Sequence, residues 1–164
     1  MGSDQTKALL VRLYDALARA DGETMAALYG PDAVFEDELF RLEGPDVGKM
    51  WVGLLSGAKD FSASYTIARA AADSGTVETT ARYRFAGRPV VNVVLSEIEI
   101  AEGRIVRHRD RFDFPRWAAQ ALGTPGRLFG GFEWFRRRVA KTLARRLGVP
   151  PRTGRIPARS GSPV

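Results

Sequence analysis

The chain has 164 residues, 45% of them hydrophobic and 27% charged, which suits one compact domain. It holds no cysteine and one histidine. That excludes a disulfide framework, a thiol nucleophile, thiolate zinc sites and a three-histidine cage, and no metal or cofactor is expected. The net charge of +6 is uneven: from Arg127 onward there are ten Lys/Arg and one acid, Glu133, whereas residues 1–126 hold 15 basic and 18 acidic side chains. The basic character therefore belongs to the C-terminal segment, and nucleic acid is not expected as a partner of the main domain.

No apolar run approaches the roughly 20 residues that span a bilayer, and residues 1–13 lack the apolar stretch of a secretory signal. A soluble, cytoplasmic protein is expected. Residues 6–20 carry Leu9, Leu10, Leu13, Leu17 and Ala20 at helical spacing. A short second helix follows Asp21-Gly22, with Met25, Leu28 and Tyr29 as its buried stripe, and ends at Gly30-Pro31. Residues 33–39 read as a strand. Gly44-Pro45-Asp46 opens a third helix carrying Val47, Met50, Trp51, Leu54 and Leu55.

The period then changes from 3.6 to 2. Residues 61–71, 76–86, 90–101 and 105–114 read as strands of an antiparallel meander. Helices first and strands after predict an α+β fold with helices on one sheet face. The turn at Ala86-Gly87-Arg88-Pro89 predicts pairing of Phe85 with Val90, Tyr83 with Asn92 and Thr79 with Ser96. A three-residue loop at Glu102-Gly103-Arg104 pairs Ser96 with Asp110, Ile98 with His108 and Val94 with Phe112. The same register sets Glu99 opposite Arg107 and Glu97 opposite Arg109, two opposite-charge pairs that a one-residue slip would lose.

This places Val106, His108, Asp110 and Phe112 on the apolar face and Arg107, Arg109 and Arg111 on the other. A carboxylate on an apolar face costs several kcal/mol unless paired or hydrogen-bonded, so Asp110 stands out. Its functional reading is a general acid or base; its structural reading is a carboxylate satisfied by Ser96, Thr79 or His108. His108 is the one side chain that ordinarily titrates near neutrality. A nucleophilic triad of Ser96, His108 and Asp110 is disfavoured, because all three share a flat sheet face with no strained nucleophile turn. Asp37 shares the face of Phe35. Tyr14, Tyr65, Tyr83 and Asn92 are candidate hydrogen-bonding groups for a substrate oxygen, with Trp51, Ser96 and Phe112 as further wall residues. Outward-facing Val91, Val93 and Leu95 call for a covering layer, either a homodimer packed sheet to sheet or the C-terminal segment.

Beyond Phe114 comes a short helix with Trp117 and Leu122, broken at residues 123–126. A basic amphipathic helix is predicted over 125–148, with Leu128, Phe132, Phe135, Val139, Leu143 and Leu147 as its stripe. It has three readings: an anionic membrane surface, an acidic partner or nucleic acid, or packing on its own domain or a dimer mate with solvated arginines. Residues 149–164 read as a disordered tail.

Two stretches, ALYGPDAVFED and EGRIVRHRDRFD, resemble the nuclear transport factor 2-like superfamily, and most closely its SnoaL-like branch of polyketide cyclases and ketosteroid isomerase-like proteins. The resemblance covers residues 5–122. It implies a cone-shaped domain over residues 1–124, a curved antiparallel sheet wrapped on N-terminal helices around a pocket for a small apolar molecule such as a polyketide or terpenoid. Asp37 matches the proton-shuttling acid of ketosteroid isomerase, but the positions of that enzyme's oxyanion hole hold Leu13 and Ser96. Asp110 matches the catalytic aspartate of SnoaL and of limonene epoxide hydrolase. The hydrolase's Arg-x-Asp pair falls at Thr79 and Ala81, so epoxide hydrolysis is not expected. The resemblance implies a cofactor-free isomerase or cyclase with Asp110 as base, and His108 and Asp37 as proton partners. The alternative is a non-catalytic binding or interaction module on the same fold.

Overall fold

The computed structural model describes residues 2–150; the predicted tail at 151–164 lies outside them. The N-terminal apolar periodicity becomes α1 (Ser3–Ala18), burying Leu9, Leu10, Leu13, Tyr14 and Leu17. Asp21 caps α2 (Gly22–Ala27) by accepting from the Thr24 amide at 2.9 Å. Next come β1 (Tyr29–Glu36), β2 (Arg41–Glu43) and α3 (Pro45–Gly57), with Pro45 in the first turn of α3. The meander follows as β3 (Lys59–Ala70), β4 (Ser74–Phe85), β5 (Arg88–Ala101) and β6 (Arg104–Arg111).

One six-stranded sheet has the order β2-β1-β6-β5-β4-β3. The meander is antiparallel as read. β1 lies parallel to β6, with Phe35 beside His108, so the sheet is mixed rather than wholly antiparallel. One register and one loop length are corrected. The β4–β5 loop is only Ala86-Gly87, both at positive φ (47° and 79°), so Phe85 pairs with Arg88, Tyr83 with Val90, Thr79 with Val94 and Val77 with Ser96. This slip of two residues keeps every side chain on its expected face, because the strand period is two.

The β5–β6 loop is also two residues, Glu102-Gly103, at φ 50° and 75°. A bulge between Glu99 and Ile100 then restores the predicted pairs Ile98–His108 and Ser96–Asp110. The bulge turns Ile105 inward and leaves Val106 exposed, reversing its expected side. Glu99 meets Arg107 at 3.6 Å, but Glu97 leans diagonally to Arg111 at 3.4 Å, and Arg109 goes to Glu36 at 3.9 Å. Phe112 lies beyond the last ladder pair of β6.

The C-terminal segment forms α4 (Phe114–Leu122), α5 (Thr124–Phe129) and α6 (Glu133–Leu147). The stretch read as one basic helix is therefore two, and the expected break at 123–126 is already the start of α5. Gly126 permits the α4–α5 crossing, since a Cβ there would stand 1.8 Å from the Ala118 carbonyl oxygen. Where β6 ends, the Gln120 amide of α4 takes over the open edge of β5. Its Oε1 accepts from Val91 N at 2.8 Å and its Nε2 donates to Val91 O at 3.1 Å. Val93 and Leu95 stay exposed on that outer face. On α6, Phe135, Ala140, Leu143 and Ala144 turn inward; of the predicted stripe, Leu128 and Phe132 lie before α6 and are exposed. Arg136 fastens α6 down, with Nη1 donating to Glu38 at 3.1 Å and the guanidinium over the Phe114 ring.

Candidate active site

Strand alternation on β6 sends His108 and Asp110 under the helices, into a cavity of about 190 Å³. Its wall is chiefly apolar and aromatic. The ionisable groups lining it are Asp37, Asp110, His108, Tyr14 and Tyr83, with no lysine or arginine.

A chain of hydrogen bonds crosses the wall. Trp51 Nε1 donates to Tyr29 Oη at 2.9 Å, Tyr29 Oη lies 2.6 Å from His108 Nδ1, His108 Nε2 lies 2.8 Å from Asp110 Oδ1, and Ser96 Oγ donates to the same Oδ1 at 2.6 Å. Indole N–H can only donate. Tyr29 oxygen therefore accepts from Trp51 and sends its own proton to Nδ1. That makes Nδ1 an acceptor and puts the imidazole proton on Nε2, aimed at Asp110. With a proton on Nε2 and the phenol proton directed at Nδ1, every member of the chain is satisfied. Burial, together with the negative charge of Asp110, holds the Tyr29 phenol well above its ordinary range, so it keeps its proton.

The imidazole is fixed by packing as well. Tyr29 stacks on it with centroids 6.0 Å apart, and Phe35 meets it edge-on at 5.3 Å. Both hydrogen bonds to Asp110 arrive on Oδ1, which leaves Oδ2 for a ligand. Ser96 and His108 each address the carboxylate rather than one another, so the order of a serine triad is absent, as expected from the flat sheet face. Two buried hydroxyls on the cavity wall, Tyr14 Oη and Thr79 Oγ1, make no hydrogen bond among the described residues. Tyr14 sits close to Ser96, and burial first and Asp110 second hold its phenol protonated.

Asp37 occupies the turn between β1 and β2. Its Oδ1 accepts from the Leu39 and Phe40 amides at 2.7 and 2.6 Å. Burial against the cavity wall outweighs those bonds and, with Asp110 and Glu38 adding repulsion, raises its pKa to about 7. Tyr83 accepts from Trp117 Nε1 at 2.8 Å, and burial raises its phenol.

Of the residues singled out from sequence, Asp110, His108, Asp37, Tyr14, Trp51, Tyr83, Asn92, Ser96 and Phe112 all line this cavity. Tyr65 does not. Its ring tilts against Tyr14 and its hydroxyl donates to Asp15 on α1 at 2.7 Å; burial first, and then this bond, raise its pKa to about 12. Tyr29 was assigned to the core of the second helix; it instead opens β1, pairing with Ile105, and supplies the relay hydroxyl. Trp117 and Leu143 also line the cavity, carried there by α4 and α6.

Residues 10–108 match the family model of the SnoaL-like domain. No curated protein matches the sequence. Among solved structures, a Catenulispora acidiphila protein of ketosteroid isomerase-like fold, solved with trimethylamine, is 16% identical over 74% of this chain and 97% of its own, with a TM-score of 0.64. A candidate polyketide cyclase from a Silicibacter species is 16% identical over 73% and 97%, with a TM-score of 0.64. An M. tuberculosis epoxide hydrolase resembling limonene epoxide hydrolase is 26% identical over 73% and 90%, with a TM-score of 0.55. Among the described residues no helix is long and apolar enough to cross a membrane. The helices over one sheet face, the cavity beneath them and the family match agree: the chain belongs to the SnoaL-like domain family of the nuclear transport factor 2-like superfamily.

Proposed function

We propose that the chain is an acid/base enzyme of the isomerase or cyclase type, acting on a small, mostly apolar molecule that carries a carbonyl. The observation that carries this reading is Asp110. Its Oδ1 is held by Ser96 and His108 while Oδ2 remains available at the wall of an apolar cavity. Oδ2 removes a proton from the carbon beside the carbonyl. The Tyr14 hydroxyl, which lies beside Ser96 but makes no hydrogen bond of ordinary geometry among the described residues, donates to the carbonyl oxygen as negative charge gathers there. Asp37, with a pKa of about 7, is partly protonated at neutral pH and returns a proton at the second carbon. Asp110 is left protonated and Asp37 ionised, and passage of that proton from Asp110 to Asp37 once the product leaves restores the starting state. Every group this scheme needs is a side chain.

The cavity limits the substrate in two ways. An apolar cavity of about 150 Å³ holds benzene, so about 190 Å³ favours a single-ring, terpenoid-sized molecule over a fused tetracycle. With two carboxylates and no lysine or arginine on the wall, an anionic substrate would meet uncompensated repulsion. Neutral ketones are therefore the first panel. Epoxides belong beside them, because one solved relative is an epoxide hydrolase.

The test is thermal unfolding of the wild type, Asp110→Asn and Ser96→Ala with each compound, followed by product analysis by mass spectrometry. The reading expects a neutral ketone to raise the wild-type melting temperature and to be converted. Ser96→Ala should fold and bind while turning over more slowly, and Asp110→Asn should lose turnover. Conversion by Asp110→Asn at the wild-type rate, or no compound bound by any of the three, overturns it.

A further inference from the structure

We propose that the α5–α6 end of the molecule docks on an anionic membrane surface. Four large apolar side chains stand exposed there: Leu128 at 63%, Phe132 at 55%, Trp134 at 53% and Phe129 at 39%. The rings form one patch, with Trp134 centroids 5.4 Å from Phe129 and 6.5 Å from Phe132. Isolated exposed apolar residues are ordinary, but a contiguous aromatic patch marks a contact surface.

The charge beside the patch says which surface. Trp134, Arg138, Lys141 and Arg145 follow one another at i, i+4, i+7 and i+11 on α6, so they share one stripe of the helix. All four are exposed, as are Arg137 and Arg146 on either side. Arg136 and Arg137 have acidic partners in Glu38 and Glu133. Arg138, Lys141, Arg145 and Arg146 have none among the described residues. Arg145 and Arg146 lie in the last turn, where they suit the helix dipole, but Arg138 and Lys141, three residues apart and without acidic partners, repel each other and add nothing to the helix. The opposite face of α6, through Phe135, Ala140, Leu143 and Ala144, packs on the domain. The helix therefore does not bury its apolar face in lipid. The aromatic tip inserts at the headgroup boundary while the cationic stripe lies over the lipid phosphates.

A bilayer takes both halves of this surface. A nucleic acid backbone would match the cations but would leave Leu128 and Phe132 in water. The rest of the chain, with 18 acids against 15 bases over residues 1–126, is repelled by the same lipids, which orients the contact through this end. The proposal stands independently of the reaction above.

Cosedimentation of the full chain with vesicles tests it, using phosphatidylcholine alone and phosphatidylcholine with phosphatidylglycerol. Tryptophan emission is read in parallel. Trp51 and Trp117 are 8% and 4% exposed against 53% for Trp134, so a blue shift reports Trp134. The expected result is salt-sensitive pelleting with the anionic vesicles only, accompanied by a blue shift. Arg138→Gln with Arg145→Gln should weaken binding about thirtyfold, at the usual contribution of a surface cation near anionic lipid. Leu128→Ser with Phe132→Ser should keep the low-salt binding and lose the blue shift. Equal pelleting with both vesicle types, anionic binding that the charge variant leaves unchanged, tighter binding to duplex DNA, or burial of Trp134 by self-association without vesicles overturns the proposal.

Discussion

Tyr29 and His108 lie 79 positions apart in sequence, and the Tyr29 hydroxyl stands 2.6 Å from His108 Nδ1. This contact sets the tautomer of the chain's single histidine. With Trp51 donating to the tyrosine oxygen, the imidazole proton points at Asp110. Tyr29 is therefore a positioning residue, acting on the carboxylate through the ring.

Tyr29→Phe keeps the ring and removes the hydroxyl. Trp51 Nε1 and His108 Nδ1 are then buried without partners, and leaving such groups unsatisfied costs about 1–3 kcal/mol each. Urea unfolding should show a loss of a few kcal/mol on this basis. The pH profile of any turnover should move as well, because either imidazole nitrogen can then carry the proton. A purely structural role would lower stability and leave the profile in place.

Asp37 makes stability depend on pH in a stated direction. Its pKa is about 7 in the folded chain and near 3.9 in an unfolded one. Between those values the folded state holds a proton that the unfolded state has lost, so stability falls as pH rises through the window and levels off above it. Asp37→Asn keeps an oxygen for the Leu39 and Phe40 amides and removes the titration. Relative to wild type, its stability should rise between pH 4 and 7, by on the order of 2–4 kcal/mol in all. Chemical denaturation at pH 4, 5.5, 7 and 8 checks this; a constant difference would mean that Asp37 titrates normally.

Gly126→Ala should be among the most damaging single-methyl changes. The added Cβ would meet Ala118 backbone at 1.8 Å, so α4 and α5 must separate. Calorimetry should show a loss of at least about 2–3 kcal/mol. Gly57→Ala, at the end of α3 with nothing within 4 Å, should gain up to about 1 kcal/mol from helix propensity. Similar losses at both positions would contradict the crossing described here.

Removing the Gln120 amide tests how α4 is held on the sheet. Gln120→Leu would leave Val91 N and O, now bonded at 2.8 and 3.1 Å, without partners on an open strand edge. Hydrogen exchange at Val91 should accelerate about tenfold or more, following a loss of about 1–2 kcal/mol of local protection. Unchanged exchange would show that α4 is held without this clasp.

Much of the site is legible from residue spacing. Alternation along 105–113 and the opposition of Glu99 with Arg107 place His108 and Asp110 inside, opposite Ile98 and Ser96, and the structure has those pairs. The β4–β5 turn is misread because Pro89 looks like a turn residue, while Ala86, whose side chain ordinarily resists positive φ, adopts it beside Gly87. Tyr29 escapes for a different reason. Its spacing from Met25 and Leu28 fits a helix, and Gly30-Pro31 looks like a stop, although β1 has already begun. Nothing local announces a hydroxyl bond to a strand 79 positions on. The three residues of β2 are too few to show a period, and the close approach of Gly126 to Ala118 is a property of the packed helices alone.

In the proposed reaction Asp110, aimed by His108, exchanges protons with a carbon acid inside the cavity. Its most direct test is deuterium incorporation beside the carbonyl of single-ring ketones in deuterium oxide, followed by mass spectrometry for wild type, Asp110→Asn and Tyr29→Phe. Loss of a positioned general base removes roughly 10²–10⁴-fold of rate. The wild type should incorporate deuterium, Asp110→Asn should lose rate in that range, and Tyr29→Phe should lose less and show an altered pH profile. Incorporation by folded Asp110→Asn at the wild-type rate, or none by the wild type above solvent background for any ketone that binds, would contradict it.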